Sequence, residues 1–345
     1  MTKQYLMFFI AFIASIAITP LVIKLAIKFG ALDVPKDNRR VHKTPIPLIG
    51  GLAIYFAFVV TVIIFIPLTK QIIGILLGGT FITISGLIDD IKPMRAKIKL
   101  SLQIIAAIIV VSFGVNIKFV SNPFGGAEGM LDIGWLSIPA TIFWIVGVTN
   151  AFNLIDGLDG LAAGIASISC ITLLVISLAN GRMTAVMLTA TLAGSTIGFL
   201  PYNFNPAKIF MGDTGAQFLG FLLAAISIEG AIKSAAAIAI TVPILALGLP
   251  IYDTLMAIIR RYINKRPVME ADRGHLHHRL IDMGLTQKQA VLIMYFISGL
   301  LGLSAVFAME LSNVKSFLVL IIVICIVFIS SREIGLLKKK KEEGN

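Results

Sequence analysis

Uncharged apolar residues run in long blocks along this chain, divided by short polar stretches. The blocks have the length of roughly 17 to 25 residues that a helix needs to cross ~30 Å of hydrocarbon. Eleven lie near 4–23, 45–67, 71–88, 100–116, 134–152, 160–180, 183–200, 214–229, 234–252, 289–309 and 315–331. The longest polar intervals, 29–44, 116–132 and 260–288, are too short for a soluble domain. The pattern predicts an all-α polytopic membrane protein with about eleven transmembrane helices and one integral membrane domain over 1–345. Only Lys3 precedes the first block and no small-residue cleavage pattern follows it, which reads as a retained span and not a removed signal peptide.

Two local patterns depart from plain spans. The stretch "NIKFVSNPFGGAEGMLDIGW" has short alternating arms around a Gly-Gly turn and predicts a small hairpin lying on the membrane. The ninth block contains Pro243 and Pro250 and runs on past Asp253, so a break is expected near Pro250, with the second half tilting toward the membrane surface.

Composition agrees with the pattern, since 57% hydrophobic residues, 14% charged residues and a mean hydropathy of +0.95 lie far outside the range of soluble domains. Cys170 and Cys325 both fall inside apolar blocks and imply no disulfide framework. Charge adds orientation, because basic residues mark cytoplasmic loops. Alternate loops on one side, with the tail at 332–345, collect 22 of the 29 Lys and Arg. The N-terminus is therefore expected outside, the hairpin extracytoplasmic, and the C-terminus and its short basic tail cytoplasmic. Topology and anionic lipid headgroups account for a net charge of +11 without any nucleic acid.

Carboxylates at membrane depth are costly and by default functional when they cluster. "GLIDDIKPMRAKIK" carries Asp89 and Asp90; "NAFNLIDGLDGLAAG" carries Asn150, Asn153, Asp156 and Asp159; "PYNFNPAKIFMGDTGAQ" carries Asn203 and Asp213; and "ADRGHLHHRL" holds Arg273, His275, His277 and His278. All four stretches fall on the cytoplasmic side, so they are candidates for one cleft. Structural roles compete at each. Asp159 and Asp213 precede apolar blocks and could cap helix N-termini; the asparagines could satisfy loop backbone; Lys97 and Lys99 could be ordinary topology-setting lysines. Asp89 and Asp90 end a helix, where the dipole disfavours negative charge, so a merely solvated helix end accounts for them less well.

Acidic side chains without thiols, with glycines and basic residues beside them, describe a site for magnesium and phosphates, because Mg²⁺ binds through one or two carboxylates plus phosphate oxygens. Phe210, three residues before Asp213, is placed to stack on a base or sugar, or else simply to pack. For the histidines three readings stand: zinc, a solvated loop, or phosphate binding with Arg273 and Arg279 as further donors.

These four motifs in this order resemble the polyprenyl-phosphate N-acetylhexosamine-1-phosphate transferases, the MraY, WecA and TagO type, over all eleven blocks. The resemblance implies transfer of a sugar 1-phosphate from a UDP-sugar to undecaprenyl phosphate at the cytoplasmic face of a bacterial plasma membrane, with release of UMP. It implies Asp213 as the metal ligand for Mg²⁺, which Mn²⁺ can replace, and Asp89 and Asp90 beside the lipid phosphate, Asp89 as a base. Lys97 matches the phosphate-contacting lysine. Asn153, Asp156, Asp159, Asn203 and Phe210 match nucleotide-pocket positions, and Arg273, His275, His277 and His278 match the loop that holds the diphosphate and sugar. His-Leu-His-His after Asp-Arg is the pattern of the branch that takes UDP-N-acetylglucosamine, at the start of teichoic-acid, O-antigen or similar glycan synthesis. The branch with three consecutive histidines takes a UDP-muramoyl-pentapeptide. The family also suggests a homodimer. A secondary transporter is the rival of a different class, but it would place its site near the midplane within repeats, and no repeat is visible.

Overall fold

The computed structural model describes residues 2–34, 45–121, 130–231, 241–267, 274–311 and 313–333. Its helices are α1 (Thr2–Phe29), α2 (Gly51–Phe65), α3 (Lys70–Ile91), α4 (Ala96–Ser112), α5 (Ser137–Ile155), α6 (Leu161–Ala179) and α7 (Met183–Asn203), then α8 (Gly212–Ala231), α9 (Thr241–Ala246), α10 (Gly248–Ile263), α11 (Leu276–Asp282), α12 (Gln287–Met309) and α13 (Asn313–Glu333). A helix underlies each of the eleven apolar blocks, and among the described residues six are long and apolar enough to cross a membrane. Helices suit such sequence because they satisfy every backbone N–H and C=O within the segment.

Two short antiparallel ladders are present among the described residues. β1 (Leu32–Asp33) pairs with β2 (Ile46–Pro47), and β3 (Phe119–Ser121) pairs with β4 (Met130–Asp132) in the register Phe119↔Asp132. The second ladder forms the arms of the expected hairpin; its Gly-Gly tip lies outside the described residues.

The break expected near Pro250 is present, at Leu247, three residues before the proline. Pro250 sits in the first turn of α10, where its missing N–H has no partner within that helix to lose. Proline therefore starts the second helix instead of interrupting it.

At the centre stands α8, whose Ala216, Phe218, Leu219, Phe221 and Leu222 are each at most 1% exposed, with α2, α3, α5, α6 and α7 around it. Phe218 meets Tyr55 and Phe58 edge-on, with ring centroids 5.4 and 5.9 Å away. Such pairs contribute about 0.5–1.5 kcal/mol each beyond their buried area. Packing of this kind matters here because lipid tails are as apolar as leucine and give helices little hydrophobic reason to associate. A side chain at Gly86 would strike the backbone of Asp213 and Thr214, so the last turns of α3 come directly against the start of α8. That contact positions the site.

α10 has its polarity reversed relative to a helix of a soluble protein. Asp253, Arg260 and Arg261 are buried, whereas Leu255 is 50% and Tyr262 81% exposed. The apolar face suits hydrocarbon, and the polar face turns toward the histidine segment.

Candidate active site

Four helix ends bring their charges together. Lys99, in the first turn of α4, ion-pairs with Asp89 near the end of α3 and donates from Nζ to Asp213 Oδ2 at 2.7 Å in the first turn of α8. Asn153, near the end of α5, donates from Nδ2 to Asp213 Oδ1, also at 2.7 Å. Asp89 Oδ1 accepts the Met94 N–H at 2.6 Å, which folds the α3–α4 turn back onto the carboxylate. Lys99 and Asp213 both retain 27% side-chain exposure, leaving the cluster open to a ligand. Lys97, about 200° away around the same helix, is exposed.

Asp90 has a different task. Its Oδ1 accepts the Asp213 N–H at 2.8 Å, and its Oδ2 accepts the Thr214 N–H at 3.0 Å and the Thr214 hydroxyl at 2.5 Å. A carboxylate from the end of one helix thus caps the start of another, joining the negative pole of α3 to the positive pole of α8. Asp213, within that first turn, is capped and is not itself the cap.

One turn further along the same helices is an amide layer. Asn150 on α5 donates to Gln103 Oε1 on α4 at 2.6 Å, and Gln103 Nε2 lies 3.4 Å from Gln217 Oε1 on α8. Gln217 is fully buried, and its Nε2 has no hydrogen-bond partner among the described residues.

The α5–α6 loop is tied to the α7–α8 loop. Asp159 Oδ2 accepts from Asn205 Nδ2 and from the Ala207 N–H, both at 3.0 Å; the N-cap of α6 is Gly160, with no side-chain cap. Asn203 is buried and donates to the Ile209 carbonyl at 3.0 Å, which shapes its own loop. The backbone of Phe210 pairs with Pro47 and Gly50, so that loop is pinned to the strand before α2. Asp156 ends α5, and burial together with the charges of Asp213, Asp90 and Asp159 pushes its carboxyl up to about 8.

The histidine segment packs against the same loop. A side chain at Gly157 would collide with the His277 imidazole, so the two motifs are in direct contact. His277 is 1% exposed, and burial, with the neighbouring His278 ring, pushes its pKa down to about 3 despite Asp253. It is therefore neutral at physiological pH and offers a ligand one N–H, not a positive charge. Its Nδ1 has no partner among the described residues. His275 and His277 stack with centroids 5.7 Å apart, and His277 and His278 meet at 4.2 Å. Arg273 lies outside the described residues.

Lys99 and Asp253 are the residues the sequence reading passed over as site members. Asp253 accepts from His275 Nδ1 at 2.7 Å and from the Leu276 N–H at 2.8 Å. A carboxylate within an apolar block was the available signal.

The donor set suits magnesium brought in with its phosphates. No group of three or more His, Cys, Asp or Glu among the described residues has the geometry to hold a metal. Asp213, with Asp89 beside the same lysine, offers the one or two carboxylates that Mg²⁺ takes from protein when phosphate oxygens supply the remainder. An ammonium already lies between Asp89 and Asp213.

Behind the histidine segment, an apolar groove of about 800 Å³ runs between α9, α10, α12 and α13. Leu249, Leu255, Leu276, Leu301, Phe307 and Val323 are among its walls.

Carboxylates, a lysine and amides gathered at the ends of membrane helices, beside a greasy groove, define a membrane-embedded transferase of phosphorylated substrates. Residues 72–231 match glycosyl transferase family 4. A probable undecaprenyl-phosphate N-acetylglucosaminyl 1-phosphate transferase of Bacillus subtilis (strain 168) is 40% identical over 341 residues, 99% of this chain and 94% of the relative. A decaprenyl-phosphate N-acetylglucosaminephosphotransferase of Mycolicibacterium smegmatis is 35% identical over 310 residues, 81% of this chain and 76% of the relative. A phospho-N-acetylmuramoyl-pentapeptide-transferase of Thermoanaerobacter sp. (strain X514) is 35% identical over 227 residues, 62% of this chain and 72% of the relative. The chain belongs to the polyprenyl-phosphate N-acetylhexosamine-1-phosphate transferase family and is a glycosyl-1-phosphate transferase.

Proposed function

We propose that this enzyme transfers N-acetylglucosamine 1-phosphate from UDP-N-acetylglucosamine to undecaprenyl phosphate at the cytoplasmic face of a bacterial plasma membrane. UMP is released, and the lipid-linked sugar pyrophosphate begins a surface glycan such as teichoic acid or O-antigen. The observation that carries the reading is the meeting of Asp89, Lys99, Asn153 and Asp213 from four helices. The match over 99% of the chain to a relative named for N-acetylglucosaminyl 1-phosphate supports this donor over the muramoyl-pentapeptide, whose named relative matches 62%.

Phosphoryl transfer asks a protein for positioning and charge neutralisation more than for covalent chemistry. Magnesium, when bound, neutralises the diphosphate and draws charge toward the leaving UMP. Asp213 is the carboxylate that would hold it. Lys99 neutralises phosphate oxygens, Asn153 and Asp90 fix Asp213, and Asp89 takes any residual proton from the acceptor phosphate, which is already nucleophilic. The neutral His277 donates one hydrogen bond to the sugar diphosphate. The groove suits a polyprenyl tail.

The test mixes purified protein with undecaprenyl phosphate and either UDP-N-acetylglucosamine or UDP-muramoyl-pentapeptide and measures UMP across a magnesium titration. UMP from the first donor alone is expected, with Asp213→Asn inactive but folded. Release from the pentapeptide donor alone would overturn the assignment.

A further inference from the structure

Asp253 belongs to none of the four motifs, yet it is 2% exposed and its two oxygens have separate partners. Oδ2 takes His275 Nδ1 at 2.7 Å, and Oδ1 takes the Leu276 N–H at 2.8 Å. Leu276 begins α11, whose N-cap residue, His275, supplies no side-chain cap. The cap therefore comes from α10, across a gap of 23 residues. Further along the same face of α10, the Arg260 guanidinium lies where a side chain at residue 274 would go, so the segment packs directly on it. Asp253 and Arg260 thus hold residues 274 to 276 against α10, while His277 meets Gly157 on the nucleotide side.

We propose that Asp253 is a positioning residue for the sugar-diphosphate donor: it fixes the His275 ring through Nδ1, leaves Nε2 as the nitrogen for the ligand, and sets where α11 starts. The proposal rests on the transfer reading given above. A carboxylate on Nδ1 decides which nitrogen carries the proton, and so whether Nε2 meets the donor as an acceptor or as an N–H. Asp253 is buried with both oxygens already taken, so it acts through His275 and does not itself meet the donor.

The two oxygens make the idea testable, because a carboxylate has two acceptors where a primary amide has one. Asp253→Asn can keep the cap on Leu276 only by turning its NH₂ toward Nδ1, which forces the His275 proton to Nε2. Three measurements follow on the full-length protein in lipid nanodiscs: KM for UDP-N-acetylglucosamine, KM for undecaprenyl phosphate, and the ¹⁵N shifts of His275. Hydrogen exchange over residues 276 to 282 reports the cap. Loss of a charge-assisted hydrogen bond corresponds to roughly 10- to 150-fold. Asp253→Asn is therefore expected to raise the donor KM by about that factor, change the His275 tautomer, and leave the acceptor KM and the magnesium midpoint in place. Asp253→Ala should in addition speed exchange in α11, and Asp253→Glu should recover part of the donor KM.

A wild-type donor KM in Asp253→Asn would overturn the proposal. So would an equal loss of donor KM, acceptor KM and kcat, which would mark a merely structural residue. If wild-type protein released no UMP, the transfer reading would fail instead, and an unchanged His275 tautomer in Asp253→Asn would still refute the positioning role.

Discussion

Lys99 Nζ lies 2.7 Å from Asp213 Oδ2 and also pairs with Asp89, so a single ammonium joins the ends of α3 and α8. Lys97, two residues earlier, is exposed. Lys99→Gln should therefore reduce kcat/KM by roughly 10- to 150-fold, the worth of one charge-assisted hydrogen bond. Lys97→Gln should stay within about threefold, as surface substitutions usually do. Steady-state UMP release by the two variants, side by side, decides which lysine serves the site.

Asp90 should matter to stability as much as to rate. Removing all its acceptors in Asp90→Ala strands two N–H groups at the start of α8 and should cost about 1–3 kcal/mol, read as a lower unfolding midpoint in detergent. Asp90→Asn keeps one acceptor and should fall between. An Asp90→Ala protein with wild-type thermal stability but no turnover would instead point to a purely chemical role.

Gly157 allows the nucleotide loop and the histidine segment to touch. Gly157→Ala should push His277 away and raise the donor KM, while the midpoint of thermal unfolding and the acceptor KM change little. An unchanged donor KM would show that the contact is dispensable.

Two titrations oppose each other. Asp156 is raised from 3.8 to about 8, so between those values the folded chain holds a proton that the unfolded chain has released, and stability declines as pH rises through the window. Without added magnesium, Asp156→Asn should gain stability over wild type from pH 4 to pH 8 and no further above it. His277 is lowered from 6.5 to about 3, so stability is lost as pH falls through that range, and His277→Gln should resist acid better. Thermal unfolding of both variants at pH 4, 6, 8 and 9 checks each sign.

The apolar blocks located the helices because burial in lipid requires long uncharged runs, and the motifs marked the helix ends that meet. What the sequence concealed was direction. Asp89 and Asp90 are neighbours, but successive helical residues point about 100° apart, so one meets Lys99 and the other the start of α8. Lys97 and Lys99 differ in the same way, since charge alone does not reveal which face α4 turns inward. Pro250 marked the break but not its exact residue, because proline fits a first turn as readily as it ends a helix.

The amide layer of Gln103, Asn150 and Gln217 lies one turn from Lys99, Asn153 and Asp213 on the same three helices. Rotating or sliding any one of α4, α5 and α8 by a residue would break contacts in both layers together. The spacing of the reactive groups is thus inherited from helices that pack within the bilayer rather than from the loops that carry the motifs. The register of α4 against α5 and α8 is therefore itself a variable of the chemistry.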